Sequence, residues 1–441
     1  KIIIMAAKDL AKADAVNSIL ASNYVMVEIG GSIKRISVKD FMNAIQAGSL
    51  NLSQYAWGIP IYQSPSSKTS PEWGRVGNLD MWAQYKDTTG RYLLTQDGRL
   101  AKLSKTNSNY FADGTVVDET KGNIMFHSPR LYYLVKTDAV TGIPYLWLSL
   151  LPIGGHYIES PCFGAYKADV ISDKLVSRSG RVPKGGLTIS QFWAKARANG
   201  NDYGLSCYDH RRLMMMLQLS EYGSPNCQAK IGYGVGGSVS GSFWNAASKL
   251  KTGATATLGD SCGSIPIDAL ADDTASKPAS VNSSRVSLFG IEDSYNWQHE
   301  MTQGIYFGKS ENTGQTGKEV FIYDGNRMPT DAELTTKPAG DYRKLERMDG
   351  EGYVSKMVLG EYFDLIAQST TGGGSNNYWC DYFWRNLATG QLCLFGGIAN
   401  VGSDSGLASV VSSYAFSFAY AHYGARLAYY GKTQYVNGAD L

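Results

Sequence analysis

The stretch Gly396–Leu427 reads GGIANVGSDSGLASVVSSYAFSFAYAHYGARL. A glycine pair opens it, Gly424-Ala425-Arg426-Leu427 closes it, and Gly402 and Gly406 stand between. Glycine tolerates φ > 0 and close backbone approach, so these positions read as fixed punctuation. What lies between them is unlike either a core or a solvated helix. From Ile398 to Tyr423 there is no Lys, Glu, Gln, Met or Trp. Those five types make up roughly a sixth of the chain, so about four would be expected against ordinary usage. The fifteen types still open are those encoded by codons ending in a pyrimidine.

Working outward, the preceding text is Tyr378-Trp379-Cys380-Asp381-Tyr382-Phe383-Trp384, a strand rich in rings. With the glycine-framed segment it resembles the variable region of target proteins of diversity-generating retroelements, as they occur in gut bacteriophage tails. In that family adenine-directed mutagenesis rewrites selected codons, and a C-type-lectin-type fold displays the result. The order of a strand (Cys162–Ala168), two helices (Thr188–Asn199 and Asp209–Tyr222) and a long loop-rich β tail resembles the formylglycine-generating-enzyme-like branch of that fold. Phe192-Trp-Ala-Lys-Ala-Arg197, Leu217-Gln-Leu-Ser-Glu-Tyr-Gly223 and Gly122-Asn-Ile-Met-Phe-His127 resemble the same tail proteins. Phe289-Gly-Ile-Glu-Asp-Ser-Tyr-Asn-Trp297 departs from the family's motif, with Asp293 for Asn and Tyr295 for Gly, which leaves its local geometry open.

The resemblance implies an α+β chain with a C-terminal C-type-lectin-like domain, preceded by small β-rich and N-terminal helix/hairpin modules. The expected divisions are an attachment or trimerisation module at 1–50, a linker at 51–80, a small β-rich domain at 81–135 and a ligand-binding domain at 136–441. The variable region would run from about 376 to 427. It implies a receptor-binding protein of a phage tail, made in the host cytoplasm and carried on the virion. Its partners would be a host cell-surface protein or glycan, other tail proteins through the N-terminal module, and two further copies of itself. A homotrimer would multiply weak single-site affinity through avidity. The ligand-binding side chains would be Tyr378, Tyr382, Trp384, Ile398, Asn400, Val401, Asp404, Ser405, Ser409, Val411, Ser413, Tyr414, Phe416, Phe418, Tyr420, His422 and Tyr423. If Phe416, Phe418 and Tyr420 lie on one strand, they share a face.

Local signals fill in the frame. Ala6–Ala21 carries helical periodicity through Leu10, Ala13, Val16 and Leu20. Tyr24–Ile29 and Ser32–Ser37 alternate about Gly30-Gly31 as a hairpin, followed by a short helix at Val38–Ile45. Thr188 with Gln191 is a capping-box pattern. Leu213, Met216, Leu217 and Leu219 form an apolar stripe, and the run Met214–Met216 reads as core filler. Arg426, inside an apolar strand end, is expected to be buried and paired, because an unpaired buried charge is costly.

Composition narrows the chemistry. The formal net charge is +2 in 441 residues, so no bulk attraction to nucleic acid or membrane follows. The opening apolar run stops at Lys8, short for a signal peptide, and no run reaches membrane-spanning length. Tyr, at 29, outnumbers Phe and Trp together, and Gly stands at 49, a palette that binding surfaces favour. The six cysteines form no CxxC pair and read as free thiols, although Cys380 and Cys393 could pair across a hairpin. The five histidines show no zinc spacing, and His127 reads as structural. Asp381, Asn400 and Asp404 are too sparse for a calcium cage. No cofactor is expected. A formylglycine-generating-type or glycan-acting enzyme domain on a tail, or a bacterial surface adhesin, are the alternatives, since paired carboxylates assembled in space leave no sequence motif.

Overall fold

The structure is a computed structural model that describes residues 24–29, 32–46, 51–63, 74–236, 244, 247–266, 283–308, 319–323, 342–346, 350–385 and 391–441. It is a mixed α+β fold made mostly of strands with few helices, and it includes a sheet curled into a half-barrel. The expected hairpin is present, with Tyr24–Ile29 antiparallel to Ser32–Ser37, followed by a helix at Val38–Gln46. The helix expected at Ala6–Ala21 lies outside the described residues.

Three larger sheets organise the rest. A five-stranded sheet runs in the order His156–Ile158, Leu131–Thr137, Pro144–Ser149, Trp57–Pro60, Val76–Gly77. A seven-stranded sheet runs Tyr203–Leu205, Leu427–Tyr429, Cys162–Gly164, Gly122–His127, Gly90–Thr95, Arg99–Lys102, Gln434–Val436. The third, around the long strand His299–Gly308, holds Gln391–Phe395, Val410–Ser412 and Tyr382–Arg385, with Tyr423–Gly424 on a side branch.

Hydrogen bonding therefore crosses the divisions expected from sequence. Gly122–His127 pairs with Cys162–Gly164, and Arg99–Lys102 pairs with Gln434–Val436 at the far end of the chain, so 81–135 and 136–441 share a sheet. The stretch expected as a linker contributes Tyr55, Trp57, Ile59 and Ile61 to the main core. Its prolines and small polar residues suggested a wrap, but Trp57–Pro60 is a strand with a neighbour on each side.

The helix Ile189–Arg197 starts at Thr188 with the full capping box to Gln191. The helix Tyr208–Tyr222 ends at Gly223, whose φ of 64° closes it in the left-handed region. It was expected to bury one stripe. It buries nearly every residue instead, including Arg211, Arg212 and Gln218, because it packs against strands of three different sheets. Met214, Met215 and Met216 are core residues. His127 is buried, with Nδ1 2.9 Å from the Pro161 carbonyl and Nε2 near the Tyr435 hydroxyl. Burial pushes it down to about 4, so it is neutral and structural.

Candidate recognition surface

The frame of the glycine-rich segment is electrostatic. Arg426 is fully buried. Its Nε donates to the Glu300 carboxylate at 2.8 Å. Its Nη1 donates to the carbonyls of Gly164 and Ala165, and Nη2 to those of Glu292 and Asp293, at 2.6–3.2 Å. All five guanidinium donors are thus used, which is the condition for burying the group. Glu300 also faces Lys167 at 3.6 Å and Arg211 at 3.7 Å. Burial alone would raise this carboxyl, but Arg426, Arg211 and Lys167 bring it down to about 2. The desolvated Lys167 ammonium is pushed down to about 7 despite Glu300.

The stretch Phe289–Trp297, whose local geometry the sequence left open, lies against this frame. Phe289, Asp293, Asn296 and Trp297 all have φ between 46° and 69°. Asp and Asn enter that region more easily than most residues, so Asp293 suits its place. Its carboxylate and that of Glu292 both hold Arg285, at 2.5 and 2.8 Å, while their carbonyls receive Arg426. Tyr295 is fully buried and donates to the Gly232 carbonyl at 2.6 Å.

Two glycines of the segment have clear steric reasons. A Cβ at Gly397, where φ is +74°, would stand 1.9 Å from the Ser405 hydroxyl oxygen. One at Gly406 would stand 2.0 Å from an Asp381 carboxylate oxygen. Asp381 is itself buried, with the Ala408 amide donating to Oδ2 at 2.8 Å and the Cys380 thiol 3.6 Å from Oδ1. Cys380 and Cys393 form no disulfide, and neither do the other four cysteines.

Beyond Val410–Ser412 the chain does not continue as a strand. Residues 413–422 form successive turns, so the expected strand alternation of Phe416, Phe418 and Tyr420 does not apply. Phe416 is buried against Tyr306, Phe418 is half-buried, and Tyr420 is 43% exposed. The turns are held through main-chain carbonyls. Tyr414 O accepts from the Leu392 amide at 2.8 Å, Tyr420 O from Gly186 at 2.9 Å, and His422 O from His299 at 3.0 Å. Ala421 O accepts from the Gln298 side-chain amide at 3.3 Å.

On these turns Tyr414, Phe418, Tyr420 and His422 gather. Ring centroids of Tyr414 and Phe418 lie 5.4 Å apart, and those of Phe418 and Tyr420 5.5 Å. Tyr420 stacks on His422 at 5.4 Å with an interplanar angle of 8°. Tyr423 sits fully buried beneath, edge-on to both. A second group lies on Tyr382–Arg385, where Tyr382 and Trp384, both half-buried, have centroids 4.5 Å apart. Asp404 accepts a hydrogen bond from Tyr353 and is half-buried beside this group.

Of the other expected residues, Ile398, Asn400, Val401 and Ser413 are half-buried. Tyr378, Ser405, Ser409, Val411, Phe416 and Tyr423 are buried in the chain as folded. Tyr378 packs against Tyr62 and Trp379 in the main core. Sequence reading missed Trp244, 5.8 Å from His422, and Tyr353, 5.1 Å from Tyr382. Neither lies in the 376–427 stretch of the sequence; strand register opposite Tyr382 brings Tyr353 in, and tertiary contact with His422 brings Trp244 in.

Among the described residues no three His, Cys, Asp or Glu side chains come together in a way that could hold a metal ion. No described helix is long and apolar enough to cross a membrane. No protein-family model matches the chain, and no curated protein matches it.

Proposed function

We propose that this chain is a recognition protein whose 376–427 region displays exchangeable side chains on a C-type-lectin-type scaffold, as the receptor-binding protein of a phage tail. One observation carries the reading: the turns at 413–422 are tied down by their main-chain carbonyls, while Tyr414, Phe418, Tyr420 and His422 stand partly free above a buried anchor. Main-chain groups are the same whatever the side chain, so such a segment keeps its path when its residues change. Exposed substitutions of this kind usually shift stability within about half a kcal/mol. Tyrosines offer large, stiff, amphipathic contact area for binding. The ligand in this reading is a host cell-surface protein or glycan.

The test is a chain carrying Phe418→Ala, Tyr420→Ala and His422→Ala together. Binding to bacterial cells that the parent chain labels should be lost, with the thermal midpoint within a few degrees of the parent, since none of the three side chains is fully buried. Labelling that survives the triple replacement would place recognition elsewhere. Tyr423→Ala is the contrasting control: it empties a buried site and should lower the midpoint well beyond the triple variant.

We further propose that the chain assembles as a homotrimer through its N-terminal module. The hairpin at 24–37 has only two strands, and such a unit is marginal in water without further packing. Phe41, on the following helix, is fully buried, edge-on to Tyr55 at 5.2 Å. Light scattering at micromolar concentration should give three times the chain mass, and a chain starting at residue 51 should scatter as a monomer. A monomer mass for the intact protein would refute the assembly.

A further inference from the structure

The five-stranded sheet carries a feature that the recognition surface does not use. An open cleft of about 710 Å³ lies against it, lined by Asn51, Ser53, Lys136, Asp138, Tyr145 and Trp147 among others. None of its lining residues belongs to 376–427. The volume is in the range of small-ligand sites.

The floor is aromatic and flat. Tyr145 and Trp147 alternate with the buried Leu146 and Leu148 on the strand Pro144–Ser149, so both rings stand on one face. Their centroids are 5.9 Å apart and their planes 25° from parallel. The indole is seated by glycine. Gly58 lies directly opposite Trp147 in the ladder, and a Cβ there would come within 2.9 Å of two indole ring carbons. Gly77, on the next strand, would place its own Cβ 3.2 Å from the same ring. Gly58 has no positive φ to explain it, and glycine weakens a strand interior. The space it leaves is filled by one face of the indole, which fixes the ring flat on the sheet.

The rim is polar and mixed in sign. Lys136 stands opposite Tyr145 in register, and Thr137 and Asp138 follow it into the turn. Asn51 uses Oδ1 to cap the helix Leu52–Tyr55, and its Nδ2 has no protein partner among the described residues. Asp138 spends Oδ1 on the turn at 140–141, with Oδ2 unpartnered among the described residues. Lys136 makes no ion pair among them.

We propose that this cleft binds the sugar rings of a neutral oligosaccharide, at a site separate from the 413–422 surface. The apolar C–H face of a pyranose packs on an aromatic face, whose quadrupole is negative. Two rings in a row match two successive sugars, and the hydroxyls around each sugar need donors and acceptors such as the rim supplies. One ammonium and one carboxylate cancel, so the cleft attracts neither an anionic nor a cationic ligand. A single lysine is too little to hold a nucleic-acid backbone.

The experiment is ligand-observed saturation-transfer NMR on the full chain with maltohexaose, cellohexaose and chitohexaose. Transfer to at least one hexasaccharide is expected. Tyr145→Ala should weaken that binding about tenfold, the loss of one stacking contact. Tyr145→Phe keeps the ring and should bind within about twofold of the parent. The Phe418, Tyr420 and His422 triple variant should bind the sugar unchanged, which separates this site from the recognition surface. Absence of transfer from all three sugars overturns the proposal, as does equal binding by the parent and Tyr145→Ala. A Tyr145→Ala chain that falls apart into lighter species in light scattering also overturns it, because the cleft would then be a subunit contact.

Discussion

Replacing Arg426 by Met should cost the fold about 3–5 kcal/mol, the usual penalty for breaking a buried ion pair by removing one partner. The midpoint of thermal unfolding should fall by roughly 3–5 °C, and much of the protein should be insoluble on expression. The loss has two parts. Glu300 keeps only Lys167 and Arg211, at 3.6 and 3.7 Å, in place of the 2.8 Å contact. The carbonyls of Gly164, Ala165, Glu292 and Asp293 lose the buried donor they share. Arg426→Lys should recover little, since one ammonium cannot reach the groups that a planar fork spans. A Lys variant as stable as the parent would show that charge alone matters at this position. The same replacement should abolish cell binding, because the strand end it anchors follows directly on the 413–422 turns.

Asp381→Asn should act in the opposite direction and stabilise the protein at neutral pH. Burial raises this carboxyl to about 6, against 3.8 ordinarily, and among the described residues no cation pairs with it. The titratable groups around it are Cys380, Cys227 and Tyr295, all neutral at this pH because burial pushes each of them up. A group whose folded value is raised favours the folded state fully below its unfolded value. That advantage fades as pH rises from about 4 and is gone above about 6. The difference of about two units corresponds to roughly 3 kcal/mol, an upper bound. Asn keeps an acceptor for the Ala408 amide and removes the charge. The Asn variant should therefore melt several degrees higher than the parent at pH 7.5 and at nearly the same temperature at pH 4. Parallel melting curves at both pH values would rule out an unpaired charge at this site.

Much of the fold was legible one element at a time. Thr188 and Gln191 announce a helix start because a hydroxyl and an amide three residues apart satisfy two orphan donors locally. The alternation on both sides of Gly30-Gly31 announces a hairpin because strand side chains repeat every two residues. Arg426 could be expected inside, since an arginine between Ala425 and Leu427 has apolar neighbours on both sides. His127 could be read as structural for want of a partner. Each of these depends on contacts within a few residues, or on the chemistry of one side chain.

Sequence failed where long-range pairing decides. The prolines of 51–80 suggested a linker, but Trp57–Pro60 finds Pro144–Ser149 nearly ninety residues later and becomes a central strand. The division at 135 vanished because Gln434–Val436 returns to Arg99–Lys102. Phe416, Phe418 and Tyr420 read as one face of a strand, yet the carbonyls of Tyr414, Tyr420, Ala421 and His422 accept from groups far along the chain and the segment turns instead. Trp244 and Tyr353 join the ring groups only through tertiary contact. By itself, the sequence determined which residues could be buried, where glycine had to stand and which helices would begin where they do. Only the tertiary structure decided which rings face outward, because exposure depends on what the distant chain covers, and a residue cannot carry that information in its own type.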